Sequence, residues 1–330
     1  MQSPDDLRNR REAVARLWDM SRGAALIPGG LPVPVAGTDQ YHDFHAHPEF
    51  TYLSGARLAG SALAFDPGDG WVLFAPVAGI EERVWVGDGE DLEALAASTG
   101  LRVRPLAELQ SWLERRRGET VALLGNDDIT HHPAAYGVEG WTALEPDVDA
   151  ELSARLSEQV SESRRTKDSS EIALMRSAAG ASRAGHLAAL RLARTGMSER
   201  QLQIELEAEF FRNGAERTAY GSIVGTGSNG AVLHFSPTSR ALRDGEIVLI
   251  DAGAEVGGYA SDVTRTFPVG PRFEGIQRDL YQLVLDVQQA AIGEVRPGVE
   301  YKTLHLQAAA RIASGLVDLG ILRGNPADLV

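Results

Sequence analysis

Ile247-Val248-Leu249-Ile250-Asp251-Ala252-Gly253, followed closely by Ser261-Asp262-Val263-Thr264-Arg265-Thr266-Phe267, is the stretch on which the reading of this chain turns. The first segment is an apolar, β-branched strand ending in a carboxylate, and burying such a charge costs on the order of several kcal/mol unless it is paired or bound to a cation. The second segment alternates, so Asp262, Thr264 and Thr266 share one face while Val263, Arg265 and Phe267 share the other. Gly257 and Gly258 supply the positive φ that a tight hairpin between them demands. With the turn at Val256-Gly257, Asp251 is expected directly opposite Asp262, the β-carbons about 4.5 to 5.5 Å apart. Facing carboxylates repel and raise one another's pKa, whereas two divalent ions about 3.5 to 4 Å apart can be bridged by them. Two aspartates bonded to turn amides, or one of them paired with Arg265, would satisfy the same spacing.

Working outward, two helices precede these strands. Asp168 or Ser169 caps the first, with Ile172, Met175 and Ala179 at helical spacing until Gly196. Ser198 with Gln201 forms a capping box for the second, which carries Leu202, Leu206 and Phe210 and stops at Asn213-Gly214. After the strands, helices are expected from about Glu274 to Ile292 and through Leu304, Ile312 and Leu316. Read as an internal duplication, helix, helix, strands is followed by helix, helix and the end of the chain at Val330. Upstream, Ser61 to Phe65 and Trp71 to Phe74 flank an Asp66-Pro67-Gly68-Asp69-Gly70 turn, and a further strand runs from Val121 to Leu124. At 330 residues two domains are expected, 1–150 and 151–330, joined between Pro146 and Lys167.

Composition narrows the chemistry. The formal net charge of −14 repels phosphate backbones and anionic lipid, which argues against nucleic-acid and membrane partners. No cysteine occurs, so disulfides, thiolate zinc sites and a cysteine nucleophile are excluded, and any metal must sit among His, Asp and Glu. The charged N-terminal stretch has no apolar core of signal-peptide type, and no apolar run approaches the ~20 residues of a membrane span, so a cytoplasmic location is expected.

The blocks Ala219-Tyr220-Gly221-Ser222-Ile223-Val224, Gly227, Asn229, Leu233-His234-Phe235, Asp251-Ala252-Gly253 and Ser261 to Pro268 resemble, in order, the aminopeptidase P and prolidase branch of the pita-bread metallopeptidases. His47-Pro48-Glu49-Phe50-Thr51-Tyr52-Leu53-Ser54-Gly55 is similar to the N-terminal domain of that branch. The resemblance implies an α/β N-terminal domain followed by an α+β pita-bread catalytic domain whose second half is incomplete in this chain. It implies Asp251 as a ligand of one metal, Asp262 as a bridging ligand, His234 as a contact to the scissile carbonyl or tetrahedral intermediate, and Thr264 as a hydrogen-bond support for the carboxylates. It further implies two divalent ions, Mn²⁺ by family habit with Zn²⁺ or Co²⁺ as alternatives, a proline-containing peptide substrate and a homodimer. Both prolidase (Xaa-Pro dipeptidase) and Xaa-Pro aminopeptidase activity fit. The family completes its site with a His-Gly-x-Gly-His-like segment and two later glutamates, none of which precedes Val330, so the remaining ligands are expected beyond it.

Other readings exist. Gly225-Thr226-Gly227-Ser228-Asn229-Gly230 spells G-x-G-x-x-G, with Asp251 at the distance of a dinucleotide-binding oxidoreductase, but Pro237 falls inside the helix such a fold requires. His42, His45 and His47 could bind a transition metal or form a solvated loop, and His131-His132 reads as a loop. A non-catalytic pita-bread binding module would account for the missing ligands but not for Asp251 and Asp262. A metal-free creatinase-like hydrolase would not need those aspartates either.

Overall fold

The computed structural model describes residues 2–80, 83–125 and 148–329; His131-His132 lie outside them. The chain divides into two compact units, Met1–Arg176 with Gly257–Tyr259, and Ser177–Val256 with Ala260–Val330.

In the first unit the order is α1 (Pro4–Trp18), β1 (Ala24–Pro28), α2 (Pro48–Ser54), β2 (Ala62–Asp66), β3 (Gly70–Ala75), α3 (Arg83–Val86), α4 (Leu92–Thr99), β4 (Arg102–Pro105), α5 (Leu109–Glu114), β5 (Val121–Leu123) and α6 (Ala150–Arg165). The strands form one mixed sheet in the order β4-β3-β2-β1-β5. As expected, β2 and β3 are a hairpin around the Asp66–Gly70 turn, where Asp66 Oδ1 accepts from the amides of Gly68 and Asp69 at 2.7 and 2.6 Å. Every residue of β1 is buried because the sheet is covered on both faces. Ala25 and Ile27 pack with Trp18, Phe50 and Leu53, while Ala24 and Leu26 pack with Phe74, Leu109 and Trp112.

Within the junction expected between Pro146 and Lys167, residues Ala150–Arg165 are helical, as α6. Only Leu156 and Val160, one turn apart, are fully buried on it, and so narrow an apolar stripe leaves little signal in the sequence. His47 caps α2, its Nδ1 accepting from the Glu49 amide at 3.3 Å. Its ring is buried while His42 is exposed. No group of three or more His, Asp or Glu able to hold a metal occurs among the described residues.

The rest of the chain continues with α7 (Ser169–Leu192), α8 (Glu199–Arg212), β6 (Arg217–Thr218), β7 (Ile223–Thr226), β8 (Ile247–Ala252), β9 (Ala254–Val256), β10 (Tyr259–Ala260), β11 (Val263–Pro268), α9 (Gly275–Glu294) and α10 (Tyr301–Asp318). The expected capping box opens α8, with Ser198 and Gln201 bonded reciprocally. Strands β7, β8 and β11 form an antiparallel sheet, and β6, β9 and β10 form another. Val248, Ile250 and Ala252 of β8 point into a core with Leu202, Leu206 and Phe210 of α8, which leaves Asp251 on the opposite, half-exposed face. Helices α9 and α10 pack on each other while leaving Ile276 and Val284 51% and 56% exposed. No helix among the described residues is long and apolar enough to cross a membrane.

Residues 225–230 do not lead into an α-helix. Strand β7 runs straight into a 3-10 turn, Gly227–Ala231, and then into irregular chain through Pro237. A dinucleotide site needs a helix N-terminus at this point to meet the pyrophosphate.

Candidate metal centre

The hairpin that carries both aspartates turns at Gly257-Gly258, with φ of 61° and 82°, so both central residues occupy the left-handed region of a type I′ turn. This shifts the expected register. Thr264, not Asp262, stands directly opposite Asp251, and Val263 stands opposite Ala252. Asp262 is therefore the diagonal neighbour of Asp251 on the same face, a separation of about 7–8 Å between α-carbons that carboxylates can still close.

The strand expected from Tyr259 to Phe267 is broken at Ser261-Asp262 into β10 and β11, where the hairpin passes from one sheet to the other. Gly253 is the other side of this break. A β-carbon there would lie 1.6 Å from the Ser261 carbonyl oxygen, so only glycine admits the approach. From α7, two side chains one turn apart grip the chain on either side of Gly253: His186 Nε2 lies 3.0 Å from the Ala252 carbonyl, and Ser182 Oγ accepts from the Ala254 amide at 2.8 Å. Burial lowers the His186 pKa, so the ring is neutral and donates from Nε2.

Tyr220 brings the two carboxylates together. Its hydroxyl lies 2.6 Å from Asp251 Oδ1 and 2.9 Å from Asp262 Oδ1. Burial, and then the two carboxylates, push its pKa well up, so it remains a donor. A single hydroxyl proton shared between two carboxylate oxygens answers only part of their combined negative charge. The donor set thus has the hard oxygens and the uncompensated negative charge that suit a divalent ion. Two carboxylates supply only part of the coordination two such ions require, and the described residues add no third clustered donor.

His234 stands in a turn after the 3-10 segment and is exposed, rather than packed in a core. Among the described residues no hydrogen bond joins it to Asp251 or Asp262. Thr264 is also exposed, across the ladder from Asp251. Sequence reasoning quoted Tyr220 in a motif without giving it a role, and passed over Ser182 and His186. The available signals were an aromatic hydroxyl just ahead of the strand paired to β8, and two polar residues four apart on an otherwise small-residue helix face.

Residues 173–324 match the model of metallopeptidase family M24, and residues 7–122 match the aminopeptidase P N-terminal domain. The Xaa-Pro aminopeptidase of Escherichia coli K12 is 30% identical over 347 aligned positions, covering 99% of this chain and 76% of that protein. A probable Xaa-Pro aminopeptidase of Aspergillus terreus is 32% identical, covering 89% of this chain and 64% of the relative. Among solved structures, Pseudomonas aeruginosa aminopeptidase PepP superposes with a TM-score of 0.85 at 30% identity, over 99% of this chain and 76% of that one. A zinc-substituted E. coli aminopeptidase P in complex with product gives 0.84 at 30% identity, with the same coverage. This chain belongs to metallopeptidase family M24, in its aminopeptidase P branch, with the N-terminal domain and the pita-bread domain in that order. It is a member of a family of metal-dependent Xaa-Pro peptidases, and it spans about three quarters of the E. coli relative's length.

Proposed function

We propose that this protein is an Xaa-Pro aminopeptidase, hydrolysing the imide bond between an N-terminal residue and a following proline in peptides longer than dipeptides. The observation that carries the reading is the carboxylate pair, Asp251 and Asp262, joined by one tyrosine hydroxyl in a chain of this family. The names of its relatives favour the aminopeptidase over the dipeptidase.

Asp251 and Asp262 are the residues that hold the metal, for which we propose Mn²⁺. When bound, such ions polarise the carbonyl and lower the pKa of water. Tyr220 keeps the two carboxylates turned toward each other, and Thr264 supports Asp251 from the facing strand. His234, exposed and free of the core, is the group we assign to the substrate carbonyl. Proline's nitrogen carries no hydrogen, so selection rests on the shape of the ring and on the free N-terminus. We further propose a cytoplasmic homodimer.

The test is peptide hydrolysis by the protein expressed from its whole reading frame. Ala-Pro-Ala with Mn²⁺ is expected to release alanine, Ala-Pro more slowly, and Ala-Ala-Ala not at all, with activity lost on chelation. Equal cleavage of Ala-Ala-Ala, or activity that survives chelation, would remove the assignment.

A further inference from the structure

Glu199 is a charged side chain that the mechanism above does not use, and it is wholly buried. It occupies the first turn of α8, just after the Ser198 cap. Its Oε1 accepts from the Thr226 amide, the Thr226 hydroxyl and Asn229 Nδ2, each at 2.9 Å. Its Oε2 accepts from the Thr238 amide at 3.1 Å and the Thr238 hydroxyl at 2.7 Å. Both oxygens are thus spent on two places in the chain, Thr226 with Asn229, and Thr238, and between them lies His234.

Backbone bonds add to the far side only. The Arg200 amide donates to the Thr238 carbonyl at 2.9 Å and the Glu199 amide to the Arg240 carbonyl at 3.1 Å. The near side is anchored in the sheet, since Thr226 pairs with Val248 and Ile223 of the same strand pairs with Asp251. Burial pushes the Glu199 pKa up, but the bonds from Thr238, Asn229 and Thr226 outweigh it and leave the pKa lowered, so the group is ionised. A buried carboxylate satisfied by five donors is a rigid tie, and a neutral replacement cannot reproduce it.

We infer that Glu199 is the positioning residue for His234: one carboxylate closes the loop 226–238 at both ends and thereby sets where the exposed imidazole stands relative to the Asp251 strand. The inference rests on the role proposed above for His234. Glutamine at 199 keeps one acceptor oxygen but turns an NH₂ group toward the other set of donors, so one end of the loop is left with its backbone bonds and loses its tie to the carboxylate. Asn229→Ala removes a single bond to Glu199, Thr238→Val removes one to Glu199 together with the Arg240 amide's bond to the same hydroxyl, and both serve if Glu199→Gln does not fold.

Two measurements decide the matter. In hydrogen exchange, amides between 227 and 238 in Glu199→Gln are expected to exchange about tenfold faster or more, while those of β8 and β11 keep their protection. In a double-mutant cycle on Ala-Pro-Ala with Mn²⁺, Glu199→Gln is expected to lower kcat about 10- to 100-fold with KM changed less than about twofold, and to add little to the loss in His234→Ala. Unchanged exchange overturns the tie. Additive losses in the cycle, or a fall in protection across the whole unit, show that Glu199 supports the fold without acting through His234. A wild-type protein that fails to cleave any Xaa-Pro peptide would overturn the proposed function instead, and the exchange measurement would still test the tie.

Discussion

Asp262→Asn is expected to melt at the same temperature as the wild type, or higher, in chelator, and to lose the gain in stability that Mn²⁺ confers on the wild type. Without a cation, Asp251 and Asp262 crowd a single hydroxyl proton on Tyr220, and neutralising one carboxylate relieves their repulsion. With Mn²⁺ at about a hundred times its dissociation constant, binding should stabilise the wild type by about 2.7 kcal/mol, and a variant with one carboxylate forfeits most of that. Activity should fall with it, on the order of a thousandfold, because the several kcal/mol of charge stabilisation that a bound ion supplies disappear. Asp251→Asn should behave alike. Thermal melts of both variants with Mn²⁺ and with chelator, run beside metal analysis, would check this; an undiminished Mn²⁺ shift in either one would take that residue out of the ligand set.

Arg10→Met should cost about 3 kcal/mol or more of stability, because it strands the buried Glu171 carboxylate and takes the cation from the half-buried Asp168. The Arg10 side chain is 3% exposed and donates from Nη2 to Asp168 at 2.6 Å and from Nη1 to the Tyr52 carbonyl at 2.8 Å. Its guanidinium lies 4.4 Å from the centre of the Tyr52 ring and 3.9 Å from Glu171, whose side chain is as buried as its own. Glu171 is held in turn by the Tyr259 hydroxyl at 2.7 Å.

The same cluster predicts a pH dependence. Burial raises the Asp168 pKa, but the bonds from Arg10, Ser170 and the Glu171 amide lower it more, to about 2. A carboxylate whose folded pKa is depressed contributes stability above its unfolded pKa of about 3.9, and that contribution is lost as pH falls. Wild-type stability should therefore drop between about pH 4 and pH 2, and Asp168→Asn should flatten that limb while lowering stability at neutral pH. Urea melts across pH 2 to 7 would show it; an unaltered acid limb in Asp168→Asn would assign the loss to other carboxylates.

Much of the architecture was legible in the residues. The capping box at Ser198 and Gln201, the 61–74 hairpin and the helices after Glu274 are local features, and each is written in a few neighbouring side chains. Helix α6 was not legible as part of a packed unit, because its buried face consists of little more than Leu156 and Val160.

The chemistry divides along the same line. By itself the sequence determined that any metal here must be held by oxygen or imidazole, that Asp251 and Asp262 end up on one face of paired strands, and that a hairpin within 256–258 joins those strands. The tertiary structure alone decided the register, with Thr264 opposite Asp251, because moving the turn by one residue shifts the pairing by two, keeps every side chain on its face and so leaves no trace in the alternation. It alone brought Tyr220 onto both carboxylates and closed the His234 loop on Glu199. Those partners lie tens of residues apart in the chain, and a hydrogen bond depends on where the fold delivers its two ends, a distance that no local pattern of residues encodes.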